Sequence, residues 1–193
     1  MITLSVPDFA DQVPFAHCGW DRLVSEVDAD RVLDWLETAP WQLRIEDFYE
    51  QHEFSLLTVQ PPSNLGALVS EATIANLAEG LRRVFKIDRP LALVDVAAHR
   101  LTAGQTIRVH NDYLGPEETH RLLVQFNRGW PIENGGLLMT FASERAEDVA
   151  DAFIPMHGSA FAFEISPRSF HAVSTIRHGE RFTLVYTFRS EDG

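Results

Sequence analysis

The feature that most constrains this chain is a change of hydrophobic period at Asp88-Arg89-Pro90. Upstream, apolar residues recur three and four apart. Ser70 can cap a helix carrying Ile74, Leu77, Ala78, Leu81, Val84 and Phe85 on one face, with Arg82, Arg83 and Lys86 suiting its C-terminal dipole. A shorter amphipathic helix spans Asp28 to Glu37, carries Val32, Leu33, Trp35 and Leu36, and ends at Ala39-Pro40. Downstream, short runs rich in Val, Ile, Thr and Phe are broken by Gly, Pro, Asn and Asp, which is a strand pattern. It predicts strands near Leu91–Leu101, Thr106–Tyr113, His120–Asn127, Gly136–Phe141, Phe153–Met156, Ala160–Glu164, Ser169–Ile176 and Arg181–Arg189. Helices followed by strands describe an α+β chain. The helices pack on one face of a mainly antiparallel sandwich or barrel, whose other face lines a pocket.

A length of 193 residues suffices for one sizeable core, so the expectation is a single domain over 1–193, with 1–90 as helical support and 91–189 as the β core. The formal charge of −12 disfavours phosphate backbones and anionic lipid surfaces, so neither nucleic acid nor membrane is an expected partner. Cys18 is the only cysteine, which rules out an intrachain disulfide. Met1 to Asp8 lacks the basic and apolar regions of a signal peptide, and the expected location is cytoplasmic. Oligomeric state is not legible.

His110 and Asp112 lie two apart in the predicted strand Thr106–Tyr113, so an imidazole and a carboxylate project from one face. Alone this is a weak signal: with eight histidines and thirteen aspartates, about half of one His-x-Asp pair arises by chance. His171, on the second-last predicted strand, supplies a third ligand. Two histidines and one carboxylate leave half of an octahedral iron site open. Arg181 and Thr183 open the last strand and face one side, a guanidinium fork and a hydroxyl suited to a carboxylate. His99, His120, His157 and His178 read as ordinary polar residues, and Trp130 as a packed hairpin aromatic. Arg100, Arg108 and Tyr113 flank the motif strand as candidates for the pocket mouth.

In these residues the chain resembles the 2-oxoglutarate- and Fe(II)-dependent oxygenases, within them the prolyl-hydroxylase-type branch. The resemblance runs from about Leu91 to Arg189. It includes Leu122-Leu123-Val124-Gln125-Phe126-Asn127, Trp130, Gly135-Gly136-Leu137 and the apolar Phe161-Ala162-Phe163-Glu164 before the distal histidine. It implies a double-stranded β-helix, jelly-roll or cupin-like, with His110, Asp112 and His171 as both catalytic residues and ligands of Fe(II). It also implies Arg181, helped by Thr183, on the C5 carboxylate of 2-oxoglutarate. Gln125 stands where the family often has a tyrosine that reaches the same carboxylate. The implied reaction uses O2, decarboxylates 2-oxoglutarate to succinate and hydroxylates an unactivated C–H, on an amino-acid side chain in a peptide, in a protein or free. Two other readings stay open: a cupin-type metal enzyme that does not use 2-oxoglutarate, and a non-catalytic β-sandwich that binds a peptide.

Overall fold

The computed structural model describes residues 10–191, and the expectation drawn from Met1 to Asp8 lies outside them. Eleven strands form one curled antiparallel sheet: β1 (His17–Trp20), β2 (Gln42–Glu46), β3 (Tyr49–Ser55), β4 (Leu91–Thr102), β5 (Ile107–His110), β6 (His120–Gln125), β7 (Leu138–Phe141), β8 (Val149–Phe153), β9 (Ala160–Glu164), β10 (His171–Val173) and β11 (Glu180–Ser190). Their spatial order is β1-β9-β6-β11-β4-β3-β5-β10-β7-β8, with β2 paired to β3. The sheet is curled in the manner of a double-stranded β-helix, and β5 and β10 lie opposite β6 and β11 across a cavity. Among the described residues no helix is long and apolar enough to cross a membrane.

Two helices brace the outside. In α1 (Glu26–Leu36), the Ser25 hydroxyl accepts from the Asp28 N–H, Glu26 and Asp28 stand in the positive first turn, and Ala29, Val32, Leu33 and Leu36 are buried. In α2 (Glu71–Phe85), Ser70 accepts from the Thr73 N–H, and the helix closes on Lys86 in the left-handed conformation, φ 54°. Its buried Leu77, Leu81 and Val84 each contribute roughly 1.5–3 kcal/mol of apolar burial.

Strand alternation divides the sheet's residues between two cores. Leu122 and Val124 of β6 and Phe182, Leu184, Tyr186 and Phe188 of β11 face the helices. Leu123, Phe161, Phe163 and Val185 face the inside of the curl. Because both faces of β11 are covered, its run reads as continuously apolar except where a polar group is aimed inward.

Several expectations shift. The amino-terminal half is not purely helical: β1 extends the sheet beyond β9, and β3 lies between β4 and β5. These strands escape a hydrophobic pattern because β2 is an edge exposed along its length and β3 turns polar side chains to the cavity. The strand expected at Phe153–Met156 lies instead at Val149–Phe153, an exposed partner of β7. Pro155 lies just past its end, and a proline cannot donate to a central ladder. The strand around His110 ends at that residue, and the one around His171 is confined to three residues.

Candidate metal centre and anion pocket

His110 is the last residue of β5, and His171 is the first residue of β10; the two are directly paired in the ladder. Their rings lie 4.2 Å apart between centroids. Asp112 belongs to no strand. It sits two residues past the end of β5 at φ 60°, a left-handed conformation uncommon for an aspartate. Convergence therefore comes from a turn, not from the strand alternation that the sequence suggested. Asp112 Oδ1 lies 3.2 Å from His110 Nε2, and Oδ2 lies 3.2 Å from His171 Nε2. One ligand atom from each of the three falls within 4.8 Å of the others, a cluster able to hold a metal ion.

The other nitrogen of each ring is engaged. His110 Nδ1 lies 2.9 Å from the Arg108 carbonyl, and His171 Nδ1 lies 2.8 Å from the Ser169 carbonyl. A carbonyl only accepts, so both Nδ1 atoms carry the proton, leaving each Nε2 lone pair aimed at the cluster. The Ser169 hydroxyl donates to the Asn111 or the Ser166 carbonyl, and the Asn111 amide donates to the Pro167 carbonyl. These bonds tie the loop before β10 to the turn that carries Asp112.

Burial alone would raise the Asp112 carboxyl, but the Arg121 guanidinium, 2.7 Å away, holds it well below the ordinary carboxylate range. His171 is shifted down, mainly by burial and then by His110.

A cavity of about 690 Å³ runs inward from this cluster. Arg181 lies on its floor, 3% exposed. Its Nη1 donates to the Thr183 hydroxyl at 2.8 Å, and that hydroxyl donates to Gln125 Oε1 at 2.9 Å. Nε and Nη2 of Arg181 are buried with no acceptor, and no carboxylate pairs with the guanidinium among the described residues. Burial pulls it down to about 10. Its side chain passes Gly136, where an added Cβ would lie 3.0 Å from Arg181 Cδ and 2.6 Å from Ile176 Cδ1 at φ 67°. The Gly135-Gly136 pair is thus required by close approach and backbone geometry. Trp130, packed against Gly136, donates its indole N–H to the Gly135 carbonyl at 2.9 Å.

All six residues singled out from the sequence come together, with one difference of role. Arg181 opens directly on the cavity, and Thr183 lines it while its proton is taken by Gln125. Gln125 stands behind Thr183. Of the flanking candidates, Tyr113 lines the cavity, while Arg100 stacks on Trp41 and pairs with Glu180 outside it. The sequence reading passed over Arg121 and took His99 for an ordinary polar residue. His99 also lines the cavity and is pushed down to about 3, chiefly by burial and then by Arg121 and Arg181. Their signal was register: Arg121, Leu123 and Gln125 alternate on β6, and His99 pairs with Thr183.

Residues 96–189 match the sequence model of the 2OG-Fe(II) oxygenase superfamily. Among solved structures, the chain is similar to a prolyl-4-hydroxylase from Pseudomonas putida at TM-score 0.71 and 16% identity, over 91% of this chain and 92% of that one. A prolyl hydroxylase from Trichoplax adhaerens, in complex with a hypoxia inducible factor oxygen degradation domain peptide fragment, gives TM-score 0.72 at 10% identity, covering 90% and 83%. The viral collagen prolyl hydroxylase of Paramecium Bursaria Chlorella virus-1, in its 2OG complex, gives 0.66 at 15%, covering 91% and 96%. No curated protein matches the sequence.

Proposed function

We propose, for a chain that belongs to the 2OG-Fe(II) oxygenase superfamily through residues 96–189, that its reaction is hydroxylation of an unactivated C–H bond on an amino-acid side chain of a peptide or protein. Membership brings Fe(II), 2-oxoglutarate and O2 as cofactor and co-substrates. In this reading His110, Asp112 and His171 hold the metal and Arg181 holds the C5 carboxylate. The observation that carries it is the buried Arg181 fork, with two donor nitrogens unpartnered, in one cavity with a His-Asp-His cluster. A desolvated guanidinium without a counter-ion is costly, and a dicarboxylate supplies the missing acceptors.

When bound, Fe(II) with 2-oxoglutarate and O2 supplies the oxidant: one oxygen atom goes into the substrate C–H, the other into succinate, and CO2 leaves. The chain's own residues do the rest. The two Nδ1–H bonds orient the imidazoles so that each Nε2 faces the position a metal would take. Leu123, Phe163 and Val185 wall the interior against water, which keeps the oxidising step away from solvent. Phe48, Tyr49 and Tyr113 border the open side, where a side chain would enter. The peptide bound by the Trichoplax enzyme supports a peptide or protein substrate for this chain.

The test is anaerobic titration with Fe(II) and 2-oxoglutarate. The expected result is a weak visible charge-transfer band that is lost in His110→Ala and needs far more 2-oxoglutarate in Arg181→Met. Iron binding without any such band would turn the assignment to a cupin-type metal enzyme. Substrate class is then read by mass spectrometry as a one-oxygen gain on proline-containing peptides against free amino acids, with succinate formed in equal amount.

A further inference from the structure

The cavity's polar groups differ from wall to wall: Arg181 presents donors to it, whereas β3 presents acceptors. Tyr49, Gln51 and Glu53 alternate along β3 and all line the cavity. The row starts next to Phe48, whose ring lies 4.7 Å from that of His110. Gln51 is 3% exposed. Its Nε2 donates to Glu53 Oε2 at 2.7 Å, and because a carboxylate only accepts, this bond fixes the other amide atom as the acceptor Oε1. That Oε1 is buried and has no donor. Glu53 lies beside it with its side chain 22% exposed, directly paired with His99 in the β3–β4 ladder.

The charges lining the cavity do not cancel, since five carboxylates stand against three guanidiniums. Arg121 lies between Asp112 and Glu118. Arg44, opposite Gln51 in the β2–β3 ladder, is shared between Glu46 at 2.9 Å and Glu53 at 3.3 Å. Glu144 is exposed at the edge, and Arg181 has no acid. A divalent metal and a dianion cancel each other, so loading the site leaves this acidic excess in place. With Arg181 matched by the dianion, Asp112 by the metal and Glu118 by Arg121, the excess falls on Glu144 and on the Glu46–Arg44–Glu53 group.

Two roles fit such a wall. As scaffolding, the group would only tie β2 to β3, and its acceptors would be filled within the chain. The bare Gln51 Oε1 and the unmatched carboxylate favour recognition of a ligand. A carboxylate is repelled there, whereas an ammonium or guanidinium supplies both the missing donor and the missing charge. We propose that Gln51 and Glu53 form a subsite for a cationic side chain of the substrate, a lysine or arginine of a peptide, held on the β3 wall while the dicarboxylate occupies Arg181. The inference rests on the reading of this cavity as a peptide-oxidising site and names its substrate class.

The test uses fluorescein-labelled heptapeptide pools, randomised over uncharged residues around a central lysine, norleucine or glutamate. Each pool is titrated by fluorescence anisotropy with the full chain loaded with Zn(II) and 2-oxoglutarate. The lysine pool should bind about ten-fold tighter than the norleucine pool, the effect of one charge-assisted hydrogen bond, and the glutamate pool most weakly. Glu53→Gln and Gln51→Leu should each cut the lysine preference to about three-fold or less with norleucine binding unchanged, a selective loss that scaffolding would not produce. Arg44→Met removes the resident cation that competes for Glu53 and should widen the preference. Free lysine that displaces its pool equally well supports the same subsite with a free amino acid as the source. Equal binding of lysine and norleucine, no binding by any pool, tightest binding of glutamate, or a narrowed preference in Arg44→Met would overturn the proposal. The charge-transfer band with Fe(II) and 2-oxoglutarate reports that each variant is folded; should Gln51→Leu or Glu53→Gln lose it, the wild-type comparison and Arg44→Met decide. A wild type without the band would overturn the underlying function, whereas the band without a lysine preference overturns the subsite alone.

Discussion

At the mouth of the cavity the chemical groups come from the ends of two short strands and a turn, whereas on its floor they come from the long β11 and the strands paired to it. His110 closes β5, His171 opens β10 and Asp112 lies in the turn beyond. Arg181 pairs with Leu101 of β4, and Thr183 lies between His99 of β4 and Gln125, the last residue of β6. Strand ends let three side chains from two segments meet at one accessible point, and the orientation lost there is restored by local bonds such as those of Ser169 and Asn111. Arg181 and Thr183 need no such help, because the long β4–β11 ladder fixes them. Their penalty is desolvation, which the floor leaves partly unpaid in the two bare nitrogens of Arg181.

The comparison is broken most severely at the mouth. His171→Ala removes one of three ligand atoms, and we expect metal binding and turnover to vanish while the fold, whose core lies mainly elsewhere, persists. Metal-dependent thermal stabilisation measures this directly, since a ligand that binds only the folded state raises the melting temperature. A variant that still gains stability from Fe(II) would mean that His171 is no ligand.

On the floor, one substitution has opposite effects on function and stability. Arg181→Met removes two charge-assisted hydrogen bonds to the co-substrate, an expected loss of about 100-fold in 2-oxoglutarate affinity. Metal alone should bind as before. Without co-substrate the same variant should be more stable by about 1–3 kcal/mol, because a thioether of similar reach replaces an uncompensated buried charge. A destabilised Arg181→Met would show that the guanidinium is satisfied within the folded chain.

Acid distinguishes the two regions less sharply. Burial holds His99 down to about 3 and His120 down to about 4, against an ordinary value of 6.5. For each, the unfolded chain takes a proton at a higher pH than the folded one. Their stabilisation is therefore fully present above about pH 6.5 and is lost as pH falls toward the folded values. By pH 5 each removes about 2 kcal/mol. Urea unfolding at pH 7 and pH 5 reads the sum, and His120→Leu should remove about half of the fall while leaving His99 on the cavity wall.

What the sequence disclosed follows the same division. Long helices and the two-sided β11 announce themselves because burial on a regular face leaves a period, and the order His110, Asp112, His171, Arg181 is visible as a linear pattern. Edge strand β2 and cavity strand β3 leave none: one faces solvent along its length, and the other turns Tyr49, Gln51 and Glu53 inward. The turn at Asp112 was invisible because a positive φ at a non-glycine residue is set by tertiary bonds. Arg121 drew no notice, since its partner Asp112 is nine residues away and meets it only when the turn has formed.

Gln125 gives the smallest and most discriminating effect. Its place in the family-like stretch suggested direct contact with the co-substrate, but its Oε1 accepts the Thr183 proton, and Thr183 in turn accepts from Arg181. A hydroxyl has one proton, so Thr183 offers the cavity only a remaining lone pair, which repels a carboxylate. Both residues therefore act by holding Arg181 in place. Gln125→Leu should cost about 1 kcal/mol of stability and change the 2-oxoglutarate KM by about three-fold or less, since it frees the Thr183 proton to turn inward. Thr183→Val, which strips Arg181 Nη1 of its acceptor, should raise that KM more, by about ten-fold. The double variant should resemble Thr183→Val alone, because the glutamine acts only through the hydroxyl. A Gln125→Leu enzyme as impaired as Arg181→Met would place the amide on the co-substrate itself and end the distinction between a ladder that positions and a single guanidinium that binds.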